Sequence, residues 1–213
     1  MSSDVLVTTP AQRQTEPHAE AVSRNRRQQA TFRKVLAAAM ATLREKSYAD
    51  LTVRLVAARA KVAPATAYTY FSSKNHLIAE VYLDLVRQVP CVTDVNVPMP
   101  IRVTSSLRHL ALVVADEPEI GAACTAALLD GGADPAVRAV RDRIGAEIHR
   151  RITSAIGPGA DPSTVFALEM AFFGALVQAG SGTFTYHEIA DRLGYVVGLI
   201  LAGANEPSTG GSE

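Results

Sequence analysis

Residues 51–71 read LTVRLVAARAKVAPATAYTYF. Thr52 stands where a cap would open a short helix carrying Val53, Val56, Ala57 and Ala60, and Pro64 supplies the first-turn proline of a second that ends near Phe71. Only Lys61, Val62 and Ala63 separate the two, which is the spacing of a helix-turn-helix. In such a unit the second helix enters the major groove by its N-terminal residues while the first braces it against the backbone. Ala63, Pro64, Ala65, Thr66 and Ala67 are small and permit close approach. Thr66 and Thr69 offer hydroxyls to base edges or phosphates, and a Thr or Ala methyl can meet a thymine methyl. Tyr68 and Tyr70 each carry a hydroxyl on a flat apolar body, suited to reaching a phosphate from a packed helix.

The flanks supply the rest of a small helical domain. Upstream, Phe32, Val35, Leu36, Ala39, Met40 and Leu43 form one apolar stripe, with Arg33, Lys34, Arg44 and Lys46 elsewhere. Downstream, Ser72 or Ser73 caps a fourth helix through Leu77, Ile78, Val81 and Leu85, ending at Pro90. Lys74 lies near the start of that helix, where a cation opposes the macrodipole by about 0.3–1 kcal/mol unless an anion is close. A phosphate would supply one, and a solvated lysine is the alternative. Arg24, Arg26 and Arg27 precede the first helix, as contacts to a flanking phosphate or minor groove or as a solvated basic turn.

In order along residues 31–78, the chain has Val35-Leu36 through Ala39, Tyr48, Leu51-Thr52-Val53, Val56-Ala57, Ala60, Val62, Thr66, Tyr68, Tyr70-Phe71, Ser73-Lys74 and Leu77. This set resembles the N-terminal domain of the TetR family of bacterial transcriptional regulators. The resemblance implies DNA contact by Thr52 and Arg54, and by Pro64, Ala65, Thr66, Tyr68, Thr69 and Tyr70, with Lys74 as a phosphate ligand and Phe71 as core. Departures fall at Ser47, Lys61 and Ala65, where the family usually has Gly, and at Ala63, where it often has a capping Ser. They bear on the turn and the cap rather than on the fold.

Charge divides the 213 residues in the same place. Residues 1–75 hold 12 Lys and Arg against 5 Asp and Glu, while residues 76–213 hold 9 against 16. A basic third facing a polyanion, joined to an acidic remainder, fits those numbers. Beyond the proline-rich break at residues 90–100, helical periodicity predicts helices near 101–115, 118–130, 135–156, 162–180 and 186–202, and no segment alternates long enough for a strand. The expected fold is all-α with about nine helices: a disordered arm at 1–22, a helix-turn-helix domain at 23–75, a ligand-binding and dimerisation domain at 76–203 and a disordered tail at 204–213.

Two of the later helices are sticky. Val165, Phe166, Leu168, Met170, Phe172, Phe173, Leu176 and Val177 cover too much circumference for a helix with one wet face. In the last helix Ile189, Leu193, Val196, Val197, Ile200 and Leu201 alternate with the small Ala190, Gly194, Gly198 and Ala202. A homodimer through residues 162–202 follows, unless both helices belong only to a monomeric core. The resemblance implies the same pairing, together with a ligand chamber among the middle helices. Candidate lining residues are Leu107, Leu110, Ala111, Val114, Cys124, Leu128, Ile144, Met170 and Phe173, with His109 or Glu169 as polar contacts, although any of them can be plain core.

The function expected is a cytoplasmic repressor that binds a pseudo-palindromic double-stranded DNA operator and is released by a small hydrophobic effector, with no cofactor and no membrane. The alternative is a helical nucleoid-associated or protein-docking module that senses no small molecule. Cys91 and Cys124 stand alone, which suits a reducing compartment, and neither a secretory signal nor a convincing span is legible. His18, His76, His109, His149 and His187 are scattered, no HExxH or CxxC occurs, and Gly180-Ser181-Gly182-Thr183 lacks a phosphate-loop lysine, so no enzyme and no metal site are expected. Asp116, Glu117 and Glu119 fit the start of a helix, where carboxylates favour the dipole.

Overall fold

The computed structural model describes residues 16–130 and 133–204. Among the described residues the chain is helical throughout, with nine α-helices and no strand: α1 (Glu16–Leu43), α2 (Val53–Arg59), α3 (Pro64–Tyr70), α4 (Lys74–Gln88), α5 (Met99–Ala111), α6 (Pro118–Asp130), α7 (Pro135–Ile156), α8 (Pro162–Gly180) and α9 (Tyr186–Ala204). The helix starts follow local chemistry. Thr52 accepts from the Leu55 amide at 3.1 Å, Ser73 from the His76 amide at 3.0 Å, and Asp161 from the Thr164 amide at 2.8 Å. Each satisfies one of the amides that a helix leaves unpaired at its start.

Three expectations change. Helix α1 begins at Glu16, so residues 16–22 are helical backbone rather than arm, and Arg24, Arg26 and Arg27 lie within α1 instead of preceding it. The helix expected at 101–115 is α5 from Met99, followed by a separate 3-10 turn at Leu112–Val114. The tail expectation falls outside the described residues except for Ala204, which closes α9.

Helices α1 to α3 enclose Val35, Leu36, Ala39, Leu43, Leu51, Val53, Val56, Ala57, Ala67 and Phe71, all buried. Phe71 stacks on Phe32 with ring centroids 5.1 Å apart, which locks the end of α3 to α1. The buried cluster continues through α4 into the C-terminal helices without a break.

Helix α4 is bound to α7 along its length. At its start, the Ser73 hydroxyl that caps α4 donates to Asp134 at 2.9 Å, and the other Asp134 oxygen caps α7 through the Ala136 amide at 2.9 Å. Midway, the buried Glu80 pairs with Arg143 and faces His76. Burial pushes the Glu80 carboxyl up, but its hydrogen bonds with His76 and Arg143 outweigh that and hold it below the ordinary carboxylate value. At the far end, the fully buried Arg151 donates to the carbonyls of Val86 and Val89 at 2.8 Å each and to Glu147 at 2.6 Å. A cation there pairs the Val89 carbonyl, adds a second donor to the Val86 carbonyl, which also accepts from the Val89 amide at 3.2 Å, and complements the dipole of α4. Arg102 of α5 does the same for the end of α7, donating to Ala155 at 2.8 Å and Ile156 at 3.1 Å.

Helix α8 buries Val165, Leu168, Phe172 and Ala179 against α6, α7 and α9 and leaves Phe166 62% and Met170 57% exposed, with Phe173 and Val177 on the same side. It is long and apolar enough to cross a membrane by length and composition alone. Within the fold it is a half-packed surface helix whose second apolar side one chain does not cover.

Replacing Arg151 with Met should take the donor from the Val89 carbonyl and from Glu147 and cost about 3–5 kcal/mol. At about 2–4 °C per kcal/mol for a chain of this size, calorimetry should show a melting temperature roughly 6–20 °C lower.

Candidate nucleic-acid interface and internal cavity

Helix α3 is held by very little of its own surface. Ala67 alone is buried, Phe71 anchors the end, and Pro64, Ala65, Thr66, Tyr68 and Thr69 all face outward. Among the described residues the side chains of Thr66 and Tyr68 have no hydrogen-bond partner, and Tyr68 is 52% exposed. Thr69 is different, since its hydroxyl donates back to the Thr66 carbonyl at 2.7 Å and only its lone pairs and methyl face outward. Tyr70 is half-buried, its ring edge-on to Phe32 at 6.1 Å.

Thr52 uses an oxygen lone pair to cap α2, which leaves its proton to donate outward. Arg54, the second residue of α2, is exposed and has no side-chain partner among the described residues, whereas Arg59 is tied by both guanidinium ends to Glu45 at 2.6 Å. Lys74 answers the dipole problem internally: its ammonium donates to the Tyr48 carbonyl at 3.2 Å and lies 4.4 Å over the Tyr48 ring. Burial pushes the Tyr48 hydroxyl up to about 12, so it stays a phenol, and it bonds to Asn75. Lys74 therefore secures α4 to the loop before α2, with further N–H donors left over.

The turn between α2 and α3 shows how the chain does without glycine. Lys61 adopts φ 52°, the left-handed region, with its amide bonded to Ala58 at 3.0 Å and the Val62 amide to Ala57 at 2.9 Å. This is a Schellman motif with lysine in the place glycine usually fills. The turn is kept and strain is accepted, and Lys61 adds an exposed, unpaired cation beside α3 that the sequence reading did not assign. Ala63, at the cap position of α3, makes no side-chain bond.

Behind this domain lies a cavity of about 310 Å³. Its wall is Tyr82 of α4, Gly121, Cys124, Thr125, Leu128 and Leu129 of α6, Arg141 and Ile144 of α7, Phe173, Leu176 and Val177 of α8, and Tyr186 of α9. Gly121 is required here, because a Cβ at that position would stand 2.4 Å from the Tyr186 hydroxyl. Burial pushes the Cys124 thiol up to about 12 and raises the Tyr82 hydroxyl as well, so both remain protonated. The Tyr186 hydroxyl is raised by burial and opposed by a hydrogen bond with Thr125. The Tyr82 hydroxyl and the Arg141 Nε are buried with no hydrogen-bond partner.

Of the lining residues expected from sequence, Cys124, Leu128, Ile144 and Phe173 meet at this cavity. Leu107, Leu110, Ala111 and Val114 are sealed in the core beside α5, and Met170 sits on the outer face of α8. His109 is exposed and Glu169 pairs with His149 at 2.8 Å, so neither reaches the cavity. Glu117, read as a dipole partner of α6, binds the Arg44 guanidinium at the end of α1 by both oxygens. Tyr82 and Arg141 were missed. Tyr82 lies four residues after Ile78 and four before Val86, and Arg141 four after Val137 and three before Ile144, which puts both on the apolar stripes of their helices, and that is the signal that would have found them.

These features define a helix-turn-helix DNA-binding domain set on a larger helical domain with an internal cavity. Residues 35–81 match the family model of the bacterial regulatory proteins, tetR family. The match places residues 35–81, from α1 to α4, in a domain of that family's type. Among solved structures, a TetR transcriptional regulator from Rhodococcus sp. RHA1 is similar at a TM-score of 0.69 and 20% identity, over 83% of this chain and 98% of that one. FadR of Thermus thermophilus, a TetR-family repressor in complex with lauroyl-CoA, is similar at 0.60 and 18%, over 85% and 99%. FadR of Bacillus subtilis in complex with stearoyl-CoA is similar at 0.54 and 14%, over 81% and 98%. At these identities the likeness is one of fold.

Lys61→Gly should relieve the left-handed strain and stabilise the protein by about 1 kcal/mol. Calorimetry should then give a melting temperature about 2–4 °C higher.

Proposed function

We propose that the chain is a homodimeric repressor that binds a pseudo-palindromic operator through α3 and is released by a small, mostly apolar effector taken into the cavity. The observation that carries this reading is the place of the cavity. Its wall includes Tyr82 on α4, and α4 starts three residues beyond Phe71, the residue that anchors the recognition helix. A ligand that shifts α4 by a small amount shifts α3 with it.

On the DNA side, Thr66, Tyr68 and Thr69 would face base edges, with Pro64 and Ala65 allowing close approach. Thr52, Arg54, Tyr70 and Lys74 would meet phosphates. On the dimer side, the exposed Phe166, Met170, Phe173 and Val177 of α8 and Tyr195 and Leu199 of α9 make an apolar face that supports pairing through residues 162–202. Two recognition helices then lie about 34–36 Å apart, one turn of B-DNA. The similar structures that hold acyl-CoA molecules support effector sensing in a domain of this shape.

Fluorescence anisotropy on DNA flanking the protein's own gene tests the DNA reading. Arg54→Ala should weaken binding to every sequence and flatten the salt dependence by about two units per dimer, one phosphate contact per copy. An unchanged slope removes Arg54 from the interface. Phe166→Glu with Met170→Glu should give monomers in sedimentation and weaken operator binding by more than tenfold, and a dimer that survives both changes rejects the α8–α9 pairing. A true effector should lower operator affinity by about 5- to 150-fold.

A further inference from the structure

Two donors in the cavity have nothing to bond to. Tyr82 is 5% exposed and its hydroxyl has no partner, and the Arg141 Nε is equally buried and equally unpaired. Buried polar groups are nearly always hydrogen-bonded, and an arginine facing an apolar wall without an acidic neighbour is rarer still. Arg141 takes part in no ion pair, unlike Arg143, Arg150 and Arg151 on the same helix, all of which bind carboxylates of the chain.

The remaining polar groups leave the need unmet. Tyr186 bonds with Thr125, Cys124 is a protonated thiol, and no Asp or Glu lines the cavity. The set is therefore rich in donors, carries positive charge and is otherwise aliphatic and aromatic. A guanidinium cannot accept a hydrogen bond, so its complement must be an acceptor, and a carboxylate is the acceptor that also matches its charge. The volume of about 310 Å³ is at the low end for small-molecule sites and holds about ten water-sized groups of about 30 Å³.

We infer that the effector is a compact carboxylic acid with a single apolar body of about ten non-hydrogen atoms in all, its carboxylate received by Arg141 and Tyr82 and its body by Leu128, Ile144, Phe173 and Leu176. This rests on the reading of the cavity as the effector site and gives that site its chemistry. The carboxylate bridges α4 and α7, the two helices already joined by Ser73–Asp134, Glu80–Arg143 and Arg151, so it adds a fourth tie between them.

Calorimetric titration of the full-length protein with octanoate, 3-phenylpropanoate and octanamide tests it, apart from any DNA. The acids should bind at least tenfold more tightly than the amide. In Arg141→Met that preference should fall to less than twofold, and in Tyr82→Phe octanoate should weaken about threefold to tenfold. The Arg141→Met protein without ligand should melt at or above the wild-type temperature, which shows that the loss is not one of folding. Leu128→Trp, which fills the cavity, should abolish binding. An amide that binds as well as the acids, a preference that persists in Arg141→Met, or no binding of either acid at millimolar concentration overturns the acid assignment. Acid binding that persists in Leu128→Trp, or that leaves operator affinity unchanged, instead overturns the effector-site reading beneath it.

Discussion

The buried guanidinium of Arg151 is the contact on which the arrangement of the two domains depends. It leaves α7, crosses to the end of α4 and fills the carbonyls of Val86 and Val89, so α4 cannot slide or rotate on α7 without stripping hydrogen bonds from a buried cation. Ser73 and Asp134 fix the opposite end by linking two helix caps through one hydrogen bond. Held at both ends, α4 is a stiff lever fixed along α7. Because its first residues also carry Lys74 against Tyr48, that lever is anchored in the DNA-binding domain as well.

Arginine has a second such use in this fold. Arg102 closes the end of α7 as Arg151 closes the end of α4, so α5, α7 and α4 are joined in series by side chains that cap a neighbour's last turn. Each link is directional, because a planar guanidinium must meet carbonyls that point along a helix axis. This places the stiff path beside the cavity, with Tyr82 and Arg141 projecting from two of the helices it joins. The same helix thus carries three arginines paired with carboxylates, Arg143, Arg150 and Arg151, and one, Arg141, that lines the cavity.

Helix boundaries were legible in the sequence because the caps are side-chain chemistry: Thr52, Ser73, Asp134 and Asp161 each do what their position predicts. The start of α1 at Glu16 was not legible because residues 16–22 carry no apolar stripe by which periodicity could mark them. The exposed face of α3 was legible because it is local, seven residues of one helix. The cavity was not, since it is assembled from five helices and its residues cannot be distinguished from core by hydrophobicity. Leu107 and Leu110 have the same composition and periodicity as Leu128, and only packing separates the sealed from the lining residues. What the sequence does contain is the exception to the pattern, an arginine on an apolar stripe, and it appears twice, at Arg141 and at Arg151. Arg151 meets the last carbonyls of a neighbouring helix and Arg141 lines the cavity.

Phe173 and Val177 belong to two surfaces at once, the wall of the cavity and the uncovered side of α8. If subunits pair across that side, occupancy of the chamber and self-association act on the same two side chains, and linkage requires each to alter the other's equilibrium. The concentration at which an effector acts then depends on how many copies of the protein the cell holds. A gene controlled by its own product would thereby retune its sensitivity as its expression rises.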